Sequence, residues 1–365
     1  MKKGLGLLLI LLAVGIGIGY VYFSKDGKNA GSTLGIKPAA QTVTLRYGSE
    51  KKGFLHDPEV QEILRDKYGL TIDGTKMGSL EMSAGSLEGI DALWPSSELA
   101  ASLFASRHPG VGYKKNNAFS TPIIFYSWPA ITDALIKAGI VEQRDKVYYI
   151  IKLKNYLDMM LKGQTWKSLG LPYQNGILTI RCTDPRLSNS GYLLSGLLAI
   201  VMNDSQMVDE QGIASHLPTL KGIFAGMGYM ENSSGILFDK YIKQGQGAFP
   251  LIANYESLLV EFYKAHPDSR QVIKNNIRVL IPEPTVWSEH PLIGLTAKGQ
   301  ALMKALQDET LQKLAWERFG FRTGGIMGMG KNGDVLTELG LPKQIQSVTP
   351  LPSAAVMEKI LAALE

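Results

Sequence analysis

Four polar turns carry the residues best suited to chemistry: Gly48-Ser49-Glu50-Lys51, Ser96-Ser97, Ser188-Asn189-Ser190-Gly191 and Tyr255-Glu256. Each follows a short apolar run and precedes a helical pattern. Backbone N–H groups at a helix start have no partner within the helix. Ser and Asn are favoured cap residues and bring hydroxyl and amide groups with them. Several such starts aimed at one spot can hold an oxyanion or another polar solute without a full countercharge. Each helix N-terminus contributes roughly 0.3–1 kcal/mol toward an anion, and about 2 kcal/mol where partly buried. Lys51, and Arg186 just upstream of the third turn, are the side chains for charge-assisted bonds. Glu50 and Glu256 oppose an anion unless they point away, pair with Lys51 and Arg186, or meet a ligand that carries an amine or other donor. For each turn taken singly, an ordinary helix cap is the competing reading.

Other chemistry finds little support. Cys182 is the sole cysteine, so no internal disulfide can form, and neither a second Cys nor clustered His accompanies it for zinc. His56, His108, His216, His266 and His290 are scattered, and neither HExxH nor GxSxG occurs. The chain therefore reads as a non-enzyme without a cofactor, an anchored hydrolase being a distant alternative. Residues 325–332 (GIMGMGKN) nearly match a phosphate-binding loop, but Asn332 stands where a hydroxyl would hold magnesium, and no clear strand precedes them. Asn232-Ser233-Ser234 is a glycosylation sequon by pattern only.

The elements that must position the four turns follow from periodicity. Residues 42–47 (TVTLRY) alternate as a strand does and lead into the first turn. Asp57-Pro58-Glu59 opens a helix with a cap, a proline at the first helical position and an acid in the first turn. It ends near Gly69, and Leu70 begins a second strand. Residues 89–94 predict a short buried strand ahead of Ser96-Ser97, with Trp94 as core. Residues 120–128 are a longer extended run. Residues 176–180 predict a strand, which Pro185 stops before a long apolar helix starts at the third turn. Residues 247–253 predict the strand ahead of Tyr255-Glu256, and 276–282 another. Pro284 and Pro291 mark an extended connection, 295–320 a long helix, and 353–364 a last amphipathic helix. All four turns thus sit at the carboxyl ends of strands, where open α/β sheets bind ligands.

The first residues differ in kind. Residues 5–23 are 19 uncharged positions after Lys2 and Lys3, long enough to span a bilayer, with the N-terminus in the cytoplasm. They exceed a signal-peptide core and lack a clear cleavage site. We expect residues 1–25 to be a signal-anchor and 26–42 a flexible linker. The bulk of the chain would then be extracytoplasmic, periplasmic or at the cell surface, on a single-pass protein. The net charge is +5, of which the first 28 residues hold +3. The nearly neutral remainder has no basic run, which argues against a nucleic-acid partner.

In their order, these features resemble the extracytoplasmic solute-binding proteins of the two-lobed type II class, which includes phosphate, sulfate and molybdate binders. The resemblance rests on the opening β-α-β unit with its polar loop at residues 48–52 and on Asp91-Ala92-Leu93-Trp94-Pro95-Ser96-Ser97. It rests also on Thr121-Pro122-Ile123-Ile124-Phe125 with the helix ending in Lys137-Ala138-Gly139-Ile140, and on Thr165-Trp166-Lys167-Ser168-Leu169. Residues 184–191, 277–282 and Phe319-Gly320-Phe321-Arg322 complete it. It covers roughly residues 43–325; the anchor, the charges of Glu50, Lys51 and Lys52, and the tail beyond residue 326 depart from it. The resemblance implies an α/β Venus-flytrap fold, with residues 43–124 plus 279–365 as lobe one and 125–278 as lobe two. It implies capture of a small polar solute, an oxyanion among the candidates, for a membrane permease such as an ABC transporter or for another surface partner. A ligand-sensing or assembly component on the same fold is the alternative.

Overall fold

The computed structural model describes residues 39–323 and 333–365, with side chains in the last stretch from residue 335. The expected anchor and the near-match to a phosphate loop lie outside these residues. Among those described, no helix is long and apolar enough to cross a membrane.

Among the described residues, nine strands build two sheets that share one long strand. β1 (Gln41–Tyr47) pairs in parallel with β2 (Leu70–Lys76) and β3 (Ala92–Trp94). β4 (Lys114–Ser127) runs through both sheets. β5 (Val141–Arg144) and β6 (Val147–Ile150) form a hairpin at the edge of the second. β7 (Leu251–Tyr255) and β8 (Arg278–Pro282) pair with the second half of β4. β9 (Trp287–Gly294) returns to the first sheet between β3 and the first half of β4. The chain thus leaves the first sheet inside β4, near Pro122 and Ile123, and returns after β8. The sequence reading put the lobe boundaries at 124/125 and 278/279.

β9 sharpens the sequence reading, which took Pro284 and Pro291 to mark an extended connection and not a sheet strand. It lies centrally in the first sheet. Pro291 has no N–H to give a ladder, which normally bars proline from such a place. Here it stands opposite Asn117, next to a register shift between Asn117 and Phe119. The bulge accommodates the missing donor. Three other readings change. Residues 176–180 form no strand: Ile177 makes an isolated bridge to Thr165, and Arg181 just beyond joins Ile252 of β7. The helix expected at 295–320 is two, Ala297–Ala305 and Glu309–Phe319, because Asp308 caps the second through Thr310 and Leu311. The last helix, Ala354–Ala363, meets Glu98–Arg107 of lobe one but packs mainly on lobe two. It buries Val356, Met357 and Ile360 against helices Asn189–Met202 and Ile213–Gly226 of the second lobe.

Helix Asn189–Met202 explains that last correction. All fourteen of its residues are buried, and a helix apolar on every side must be covered on every side. β7 covers one side and the C-terminal helix another. Met357 and Leu351 crowd Gly196 closely enough that a Cβ there would lie 3.0 and 2.7 Å from them.

The first lobe has its own core. Phe54, Trp94, Phe119 and Phe321 pack ring to ring, with centroids 5.0–6.2 Å apart. Trp94 is fully buried there, as expected, and its indole N–H donates to the His290 carbonyl. Asp57 caps its helix through Glu59 and Val60, and Gly69 ends it in the left-handed conformation at φ 67°, as the sequence predicts.

Candidate functional site

A cleft of about 300 Å³ opens between the lobes. Of the residues expected there, Gly48, Ser49, Glu50, Ser96, Arg186, Ser188, Asn189 and Tyr255 line it. The two walls touch: Asn189 Nδ2 of lobe two donates to the Ser96 carbonyl of lobe one at 2.7 Å and to the Tyr255 hydroxyl at 3.0 Å. Gly78 lies so near the Leu187 carbonyl that a Cβ would come within 2.6 Å of it. The lobes are therefore closed on each other.

Two long helices start at this cleft. Ser188 is the cap of Asn189–Met202 and Ser233 the cap of Ser234–Ala248, and neither side chain makes the usual cap hydrogen bond. Their first-turn N–H groups are thus not satisfied by their own serines. In the first helix, the Gly191 N–H is taken by Thr183 Oγ1 at 2.8 Å. The Ser233 hydroxyl and Asn189 Oδ1 are buried with no hydrogen-bond partner among the described residues. A buried polar atom left in this way costs about 1–3 kcal/mol.

Five expected residues are placed elsewhere. Lys51 lies beneath the cleft, fully buried, with Nζ 2.6 Å from Glu50 Oε1, 2.8 Å from Ser96 Oγ and 5.6 Å from the centre of the Trp94 ring. Ser97 caps the next helix through Ala100 and lines a separate groove. Ser190 turns inward, its hydroxyl 2.8 Å from those of Thr183 and Ser234. Gly191 packs on the Thr183 backbone. Glu256 faces Arg322, not Arg186, at 2.7 and 2.8 Å. The common reason is helical rotation. Each residue turns about 100° from the last, so a turn presents one or two side chains to the cleft and sends the rest into the core.

Gly191 can be tested directly. A Cβ there would sit 2.1 Å from the Thr183 carbonyl oxygen, a backbone atom that cannot swing aside. Gly191→Ala is expected to lower stability by about 1–3 kcal/mol through overpacking, read by urea denaturation. An unchanged midpoint would mean that the two segments separate freely.

Charge at the site is largely internally paired. Burial alone would raise the pKa of Glu50, but the Lys51 charge and the hydrogen bonds from Lys51 and the Ser96 hydroxyl outweigh it and hold the carboxyl at about 2. Burial, and then the Lys51 charge, push His290 well below its ordinary value, so it is neutral. The Arg186 guanidinium chelates Asp184 at 2.6 and 3.0 Å and keeps that carboxyl low. Burial, followed by Glu50, raises the Tyr255 phenol, which stays protonated and able to donate.

The sequence reading missed Lys76, Met77, Gly78, Ser79 and Glu81 on one wall and Leu187, Asn232, Ser233 and Ser234 on the other. Both groups had a signal. Residues 76–79 follow the carboxyl end of β2, the position used to choose the other turns. Ser233-Ser234 precede a helical pattern as caps do, although only their sequon was noted.

No family profile matches the chain, and no curated protein matches it in sequence. Solved structures do match. The sulfate-binding protein SubI from Mycobacterium tuberculosis H37Rv aligns over 89% of this chain and 96% of its own, with TM-score 0.53 and 14% identity. The substrate binding protein of an ABC transporter from Agrobacterium tumefaciens aligns over 90% and 97%, at 0.53 and 13%. The fold is that of the two-lobed type II periplasmic binding proteins. Iron-bound HitA from Pseudomonas aeruginosa matches the same type II fold over 90% and 98%, at 0.52 and 14%. All three are named or described by what they bind.

Proposed function

We propose that this chain is an extracytoplasmic solute-binding protein, anchored by residues 5–23, that closes its lobes on a small solute bearing an oxyanion. It catalyses no reaction, and it hands the solute to a membrane transporter or a surface partner. Anchoring keeps it concentrated beside that partner. The observation that carries the reading is the pair of helix starts at Ser188 and Ser233 in one interlobe cleft, with the buried Ser233 hydroxyl left without a partner. Helix starts and a hydroxyl stabilise an oxyanion without a free cation. That suits a cleft whose Glu50 and Lys51, and Asp184 and Arg186, already neutralise each other.

The test is a thermal-shift screen of the full-length protein in detergent against sulfate, phosphate, molybdate, small carboxylates and sulfonates, with neutral sugars as controls. A ligand at a hundred times its Kd adds about 2.7 kcal/mol to stability, so the shift is readily read. Ser233→Ala is expected to weaken the bound anion roughly tenfold, the value of one hydrogen bond to a charged group. If no oxyanion raises the melting temperature, the solute-binding reading fails.

A further inference from the structure

The cleft continues past Ser233. A second compartment of about 600 Å³ lies beside the first and shares Ser49, Lys76 and Ser233 with it. Like the first, it has one wall from each lobe. Its character differs: Tyr47, Phe238 and Phe262 give it aromatic faces, and Glu261 and Asp239 supply carboxylates.

Glu261 is the unusual member. Its carboxylate lies against Gly53 of the opposite lobe, and a Cβ on Gly53 would sit 1.8 Å from Oε1. Only a residue without a side chain lets it approach. Among the described residues, the carboxylate makes no hydrogen bond and no ion pair. Burial first, and then the charges of Glu50 and Asp239, push its pKa up to about 7. Burial disfavours charge of either sign there, while the carboxylates of Glu50 and Asp239 oppose a further negative charge in particular. Lys52 and Lys76 also line this space. Lys76 stands at the boundary with the anion-binding cleft, where a cation serves the other end of a ligand.

Aromatic faces combined with carboxylates are the chemistry that binds an ammonium group. A bare inorganic anion would leave this space unused, and the two compartments together are of a size that encloses organic ligands. We infer that the solute is an organic oxyanion with an ammonium-bearing tail, its anionic end at Ser188 and Ser233 and its ammonium in the second compartment against Glu261. This rests on the solute-binding reading above and names its ligand class.

The experiment measures Kd by calorimetry on the full-length protein for matched probes. Phosphoethanolamine is set against glycerol 1-phosphate, taurine against isethionate, and inorganic phosphate and sulfate serve as headgroup references. Within the pair whose headgroup binds, the ammonium probe is expected to bind at least tenfold more tightly. Glu261→Gln should remove that preference while inorganic anion affinity stays within about twofold, which also shows that the variant is folded. Asp239→Asn, at an exposed position, should reduce the preference by a smaller factor and serves if Glu261→Gln does not fold. Equal affinity within a pair, or a preference untouched by both variants, overturns this inference and leaves the solute-binding reading intact. Binding of no probe and no inorganic anion overturns both.

Discussion

Arg322→Met is expected to destabilise the protein by about 3–5 kcal/mol, the cost of removing one partner from a buried ion pair. Arg322 is 3% exposed, and its fork meets both oxygens of Glu256, which is fully buried. The same guanidinium donates to the Pro342 and Lys343 carbonyls at 2.8 and 2.9 Å. Its backbone pairs with Ser120 of β4 on both sides, at 2.9 and 2.7 Å. One residue thus joins the strand common to both sheets, the helix Glu256–Ala265 and the chain leading to the C-terminal helix. Methionine would fill much of the volume but leave a carboxylate and two carbonyls without donors. A fall in melting temperature of the order of 10 °C follows from the scaling of stability with domain size. The double variant Glu256→Gln, Arg322→Met should recover most of the loss, since no buried charge then remains. A single variant within about 1 kcal/mol of wild type would contradict the buried-pair account.

The second large effect concerns Lys51, and its signature is a reversed pH dependence. In the wild type the folded-state pKa of Glu50 is about 2, below its ordinary value near 4.5. The unfolded chain therefore takes up this proton first on acidification. The stabilisation from Glu50 is present above about pH 4.5 and is lost as pH falls toward 2. Lys51→Met removes the ammonium 2.6 Å from Glu50 Oε1. Burial, now unopposed by that charge, would raise the Glu50 pKa above 4.5. The variant should be destabilised by about 3–5 kcal/mol at neutral pH and should gain stability as pH falls from 7 toward 4.5. Chemical denaturation at several pH values reads both slopes. A variant whose stability is flat over that range, or falls on acidification as the wild type does, would show that Glu50 does not depend on Lys51. Glu50→Gln, Lys51→Met should restore stability and abolish the slope.

These two pairs also show why the charged residues were the hardest to assign from sequence. Glu50 and Glu256 are similar as strings: an acid at the start of a helix after a strand. Of the alternatives open for Glu50, pairing with Lys51 is the one made, because Lys51 is adjacent and the 3₁₀ turn Ser49–Lys51 brings both side chains down together. For Glu256 the partner is one the sequence did not suggest, because Arg322 is 66 residues away and arrives only through the pairing of its segment with β4. Arg186, the candidate partner, is held by Asp184 two residues before it. Local pairs can be read along the chain; pairs made by topology cannot.

The type II fold itself was legible in sequence because its signals are local and repeated. Strand alternation, the Asp57-Pro58 helix start and the Gly69 stop each reflect physics acting within a few residues. The succession of strand ends that carry polar turns set the location of the interlobe cleft. By itself, then, the sequence determined the α/β class and offered the polar turns that supply eight of the cleft's lining residues. Only the tertiary structure decided that β9 is a central strand despite Pro291, since the bulge opposite Pro291 depends on β4. It alone set the C-terminal helix against Asn189–Met202, because the helix it covers is apolar all round and does not specify its cover. It also decided which residue of each turn faces the cleft, since helical rotation is set only when the rest of the helix has packed. Finally, it brought Glu261 against Gly53, placing a carboxylate in the cleft that no local pattern marks, because the two lobes meet only in three dimensions.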